Sequence, residues 1–224
     1  MRLIVQRITG RRTAAVVAAV VGFGAVHLRG ANLITNPGFE ANAIPIGLSG
    51  AMYGDSASGA LSGWDTAGQA ISLYNSNAGV AAINNQSVMF TSTGAQGISQ
   101  LVTAGLGAVG DHYQLSWKAG NFAEGLPYNL RVQVSGDVPG GLITWDFLAG
   151  TGGTGGAVPY DDYLVGFTAT GSSVLKVNFI RLPGDGNFVA LDDVMLQNVP
   201  EPRTYALAAG LGLLAFGAYR RYRS

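Results

Sequence analysis

The stretch DHYQLSWKA, residues 111–119, decides the fold. Tyr113, Leu115 and Trp117 recur at every second position with Gln114, Ser116 and Lys118 between them, and an extended strand sorts that alternation into one buried and one wet face. The same period returns in Leu130, Val132 and Val134, and again in Leu175, Val177 and Phe179, so these nine side chains are core candidates. Working outward, similar short runs are broken every ten or so positions by glycine, asparagine or aspartate, the pattern of a sandwich or barrel. Strands are predicted near Asn32 to Thr35, Gly63 to Leu73, Gln86 to Thr91, Gly97 to Val102, Asp111 to Ala119, Asn129 to Val134, Leu142 to Leu148, Tyr163 to Ala169, Val174 to Ile180 and Phe188 to Gln197. No amphipathic helical pattern competes with them.

Composition agrees. The 34 glycines are about twice average usage and charged residues are only 12%, which favours a turn-rich all-β domain, while 48% hydrophobic residues supply a core and argue against disorder. The formal charge of zero conceals a segregation. Nine of the 13 basic residues lie near the two ends, and residues 31–199 hold only Lys118, Arg131, Lys176 and Arg181 against 12 acidic side chains. Such an acidic body excludes nucleic acid, whose phosphates require basic surfaces. Cysteine is absent, so disulfides, thiolate nucleophiles and cysteine metal sites are excluded as well.

The ends read as addresses. A basic stretch up to Arg12 precedes the apolar run 14–26 (AAVVAAVVGFGAV), the order of a secretory signal, so residues 1–31 are expected to form a signal peptide with a helical apolar segment. The run is short for a membrane span, and no clean small-x-small cleavage site follows it, which leaves a retained N-terminal anchor as the alternative. At the other end Pro200-Glu201-Pro202 is followed by an apolar run over 204–219 and then by Arg220, Arg221 and Arg223. The run is expected to be a single transmembrane helix with its arginines held in the cytoplasm. The prolines cannot continue a helix and keep the preceding segment extended, as a protease site requires.

Residues 199–224 thereby resemble the PEP-CTERM sorting signal, in which a Pro-Glu-Pro motif, a short apolar helix and an arginine cluster occur in that order. The resemblance implies recognition and cleavage by an exosortase, a membrane-embedded protease, with a transient membrane partnership through the C-terminal helix. It also implies export in a Gram-negative-type bacterium, as an inner-membrane-anchored precursor that passes to the cell surface or extracellular matrix, in a setting where exopolysaccharide is produced. A plain C-terminal anchor is the alternative.

The last predicted strand breaks its own parity. Val189 and Leu191 share a face, the next apolar pair is Val194 and Leu196, and the slip falls on Asp192-Asp193, where a β-bulge would return both pairs to the core. With NLITNPGFE at 32–40 and FVALDDVML at 188–196, residues 32–198 resemble the jelly-roll, galactose-binding-like sandwiches of carbohydrate-binding modules. The resemblance implies an antiparallel sandwich with its first and last strands side by side. It further implies a structural calcium held by Glu40 and Asp192, with Asp193 as the alternative ligand; hard carboxylate oxygens suit that ion.

No catalytic residue is assigned. Only His27 and His112 are present, the first in the signal region and the second read as a strand-edge residue beside Asp111. The pairs Asp161-Asp162 and Asp192-Asp193 point to opposite faces of their strands unless a bulge intervenes, so neither flanks a bond as an acid and a base. The loop 150–156 (GTGGTGG) lacks the lysine of a phosphate-binding loop. Aromatic faces stack on sugar rings while amide and carboxylate groups bond the hydroxyls, and Tyr128, Trp145 and Tyr160 are the aromatics expected to be exposed for sugar binding. The reading is a non-enzymatic, exported all-β protein with polysaccharide as a partner; a purely structural matrix or adhesion protein and a glycoside hydrolase-type enzyme are the rivals.

Overall fold

A computed structural model describes residues 30–44, 50–54, 59–75, 86–91, 95–121, 128–149, 160–183, 188–199 and 202–223. The signal region 1–29, the glycine loop 150–156, Pro200 and Glu201 lie outside the described residues. The chain divides into two compact units, of which Ala31–Asn198 is one. The other contains the C-terminal helix.

Ten strands build the larger unit: β1 (Gly50–Tyr53), β2 (Ile71–Asn75), β3 (Gln86–Phe90), β4 (Gln96–Val102), β5 (His112–Asn121), β6 (Tyr128–Gly136), β7 (Leu142–Ala149), β8 (Tyr160–Thr168), β9 (Leu175–Arg181) and β10 (Val189–Val199). They form a six-stranded sheet ordered β1-β2-β3-β10-β5-β8 and a four-stranded sheet ordered β4-β9-β6-β7. The registered pairs are antiparallel throughout. From β3 to β6 and from β7 to β10 each successive strand crosses to the opposite sheet, which makes an all-β antiparallel sandwich of Greek-key connectivity.

The period-2 runs lie where alternation places them. Leu115 and Trp117 of β5, Leu130, Val132 and Val134 of β6, and Leu175, Val177 and Phe179 of β9 are buried between the sheets. Trp117 is the hub, with ring centroids 5.1 Å from Phe147, 5.4 Å from Tyr163 and 5.5 Å from Phe179. The bulge is present in β10: Asp193 adopts φ +50°, and Leu191 and Val194 on either side of the aspartates are both buried.

Two predicted strands require correction and one was missed. Asn32 to Thr35 runs beside β10, with Leu33 N donating to Leu196 O, yet it is not a strand. Side chains replace the ladder there. Asn32 Oδ1 accepts from Ile34 N and Leu196 N, its Nδ2 donates to Val194 O, and Gln100 Oε1 accepts from Thr35 N. Of Gly63 to Leu73 only Ile71 onward is extended, because Gly63, Ala67 and Gly68 adopt positive φ and turn the chain; Asp65 alone pairs, with Ser99. Strand β1 reads GAMY, with too little apolar alternation to announce itself.

The C-terminal helix α1 spans Pro202–Arg223. Pro202 opens it, where a missing N–H costs nothing, and Arg220 and Arg221 are exposed near its end. The expected transmembrane segment 204–219 lies inside this helix, but among the described residues no helix is long and apolar enough to cross a membrane. The physical reason is that 16 residues diluted by Gly210, Gly212 and Gly217 fall short of the roughly 20 apolar residues a span requires.

Candidate functional site

The three aromatics expected at the surface are not exposed platforms. Tyr128 stands on the inner face of β6 with Leu130 and Val132 and is 2% exposed. Its hydroxyl lies 3.2 Å from that of Tyr163, and burial, then Tyr163 and Asp161, push its phenol far above the usual tyrosine range. Trp145 also points inward: it pairs with the buried Val132, packs against the core and lies 6.4 Å from the Phe167 ring. Tyr160 is half-buried in a small cluster with Tyr74, Met89, Phe188 and Ala190 on the outer side of the six-stranded sheet. Its hydroxyl is shut off from solvent beside Ser87 Oγ without a well-formed hydrogen bond, and burial raises its pKa. Parity carried the missing signal for the first two, since Tyr128 keeps the period of Leu130 and Trp145 that of Ile143 and Phe147.

Of the acidic residues implied for calcium, Asp192 and Asp193 stand at the bulge of β10. Asp192 is completely buried and its Oδ1 accepts from Asp193 N, while the exposed Glu40 accepts from Gln86 N through Oε1. Gln86 Oε1 and Ser87 Oγ, at the start of β3, are buried without hydrogen-bond partners. Among the described residues no three His, Asp or Glu side chains gather as a metal group. The oxygen chemistry of this corner fits a hard cation only if neutral oxygens such as Gln86 Oε1 complete the shell.

The other paired carboxylates and the histidine have ordinary settings. Asp162 forms an ion pair with Lys118 at 3.2 Å, and His112 Nδ1 lies 3.1 Å from Thr168 Oγ1 on the neighbouring strand.

A groove of about 240 Å³ lies instead on the outer face of the four-stranded sheet, where Gly97, Ser99, Lys176 and Asn178 meet the chain between Asp65 and Gln69. That chain is anchored as a wall. Asp65 and Ser99 exchange backbone hydrogen bonds of 2.8 and 2.7 Å, and Gln69 receives Gly97 N on Oε1 while its Nε2 donates to Ala95 O. From the groove a row of neutral polar residues crosses all four strands, because register places Ser99 opposite Asn178, Asn178 opposite Gln133 and Gln133 opposite Thr144. Three strand spacings of ~4.8 Å make this row about 14 Å long. Gln133 Nε2 donates to Thr144 Oγ1 at 3.3 Å. One row along, Arg131 grips Asp146 bidentately at 2.7 and 2.8 Å, and that contact holds the Asp146 carboxyl below its usual range. Sequence reading missed this face because its residues are the unremarked polar partners of the core periods, and only the register of four separate strands aligns them.

Fold and site together define an antiparallel β-sandwich carrying an open polar groove. No family model matches this chain, and no curated protein does. Among solved structures it is similar to an apo-form cyclase from Fischerella sp., at 16% identity over 77% of this chain and 97% of the cyclase, with a TM-score of 0.54. It is also similar to TmCBM61, solved in complex with beta-1,4-galactotriose, at 17% identity, 74% and 97% coverage and a TM-score of 0.49. A Family 16 Carbohydrate Binding Module-2 follows at 15% identity, 74% and 99% coverage and a TM-score of 0.48. At such identities the likeness is one of fold.

Proposed function

We propose that this chain is an exported, non-catalytic sandwich that associates with extracellular polysaccharide through the outer face of β4, β9, β6 and β7, and that its C-terminal segment is an exosortase sorting signal. The cross-strand row of Ser99, Asn178, Gln133 and Thr144 carries the binding reading. Hydroxyl and amide groups donate and accept at once, as sugar hydroxyls do, and a row crossing the strands offers them at regular spacing to an extended chain. Asp146, one row along on this face, is held below its usual range by Arg131 and so is a poor proton donor at neutral pH, which supports binding over hydrolysis. The sorting reading is supported by the order Pro-Glu-Pro, apolar helix, arginine cluster at 200–223.

Binding is tested by affinity electrophoresis of the full chain through gels containing soluble polysaccharides, with the double variant Asn178→Ala, Gln133→Ala as the comparison. Retardation by at least one polymer, weakened about tenfold in the variant as two hydrogen bonds are lost, is the expected result. Unretarded migration in every polymer would favour the rival reading of a purely structural matrix protein, which the absence of aromatic rings among the described outward residues of this sheet also favours.

Calcium belongs to the same proposal as a structural ion held by Glu40 and Asp192 or Asp193. Its addition to chelated protein is expected to raise the melting temperature, and Glu40→Ala to remove the rise. An unchanged melting temperature in the wild type eliminates the ion.

A further inference from the structure

The acidic body has four basic side chains, and their fates differ. Lys118 is paired with Asp162, and Arg131 with Asp146. Arg181 is 2% exposed within the sandwich. Lys176 has no anionic partner among the described residues, is half-exposed, and lines the groove. Its strand neighbours in register are Leu101 and Ser135, both uncharged, and Asn178 of the polar row lies two residues along the same face. Asp65, the carboxylate of the groove, is on the far side of β4, two strands and one face position away, with Oδ1 engaged by Ala67 N. A cation with no anionic partner among the described residues, in so acidic a body, offers an anionic ligand group a counter-charge two strands away from Asp65.

We infer that the groove selects polysaccharide bearing carboxylate sugars, with Lys176 Nζ reading the carboxylate while Asn178 and Ser99 hold neighbouring hydroxyls. This rests on the binding reading above and narrows it to one class of ligand, a uronate-containing chain. An ammonium suits that role because it is a compact point charge with three donors on a flexible stem, able to follow a carboxylate along a shallow groove. The net negative charge of residues 31–199 opposes polyanions in general, so attraction depends on local fit, and the contact weakens as salt screens it.

The test compares polygalacturonate with its methyl ester, which keeps the backbone and ring hydroxyls and masks the charge. Affinities of the full-length chain for both are measured at 0.05 and 0.5 M salt as rough limits of screening. Wild type is expected to prefer the acid by about fivefold at low salt, the size of one exposed ion pair, and to lose the preference at high salt. Lys176→Gln should abolish the preference for the acid over the ester, and Lys176→Arg should retain it. Equal binding of acid and ester by wild type, or a preference that survives in Lys176→Gln, overturns the assignment and leaves the groove as a neutral-glycan site. If wild type binds neither these polymers nor any neutral one, the binding reading falls with it.

Discussion

Gln100→Leu is expected to lower the unfolding free energy of the sandwich by about 3 kcal/mol. Gln100 is buried on β4, and its amide does the work of a missing strand. Oε1 accepts from Thr35 N at 2.7 Å, while Nε2 donates to Thr35 O at 2.9 Å and to Gly63 O at 2.6 Å. Leucine keeps the volume but strands three backbone groups, each worth about 1–3 kcal/mol if left dry and less where water reaches it. Around this clamp, Asn36 Nδ2 donates to Ser62 O, Asn42 holds Ala60 O and Ser62 N, and Trp64 Nε1 donates to Asn36 O. The first segment and the 60s turn should therefore loosen together. Urea unfolding with an unchanged slope and a lowered midpoint is the expected signature; an unchanged midpoint would show that the clamp contributes nothing net.

The second large effect concerns the tail and is all-or-none. Leu211, Leu213, Leu214 and Phe216 are each more than half exposed on α1, an apolar surface that needs lipid or protein to cover it. If the Pro-Glu-Pro segment is a processing site, protein recovered from cells with the sorting protease lacks the helix and the arginine cluster, and protein from cells without it keeps both and stays with membranes. Intact mass spectrometry separates the two forms directly. A tail retained in both strains would make the segment a plain anchor and remove the exosortase from the account.

Much of the sandwich was legible in residue spacing, for a local reason. A strand with one face in the core must alternate, and DHYQLSWKA, NLRVQV and LKVNF do so without interruption. The slip at Asp192-Asp193 was equally legible, because only an extra residue in β10 returns Val194 and Leu196 to the face of Val189 and Leu191. The site was far less legible. Tyr128 and Trp145 invite reading as sugar platforms by residue type, yet their parity puts both inside, and Tyr160 is drawn into a cluster of residues from distant strands.

What the sequence determined by itself was the period of each strand, the bulge, the acidity of the body and the character of the two ends, since all of these are carried by residues near one another in the chain. Tertiary structure alone decided that Asn32 to Thr35 is held by side-chain amides, and that Ser99, Asn178, Gln133 and Thr144 stand in one row with Lys176 beside it. Those alignments come from the pairing of β4, β9, β6 and β7. Register between strands far apart in the chain is set by the core they jointly bury, and no short window of sequence contains that information.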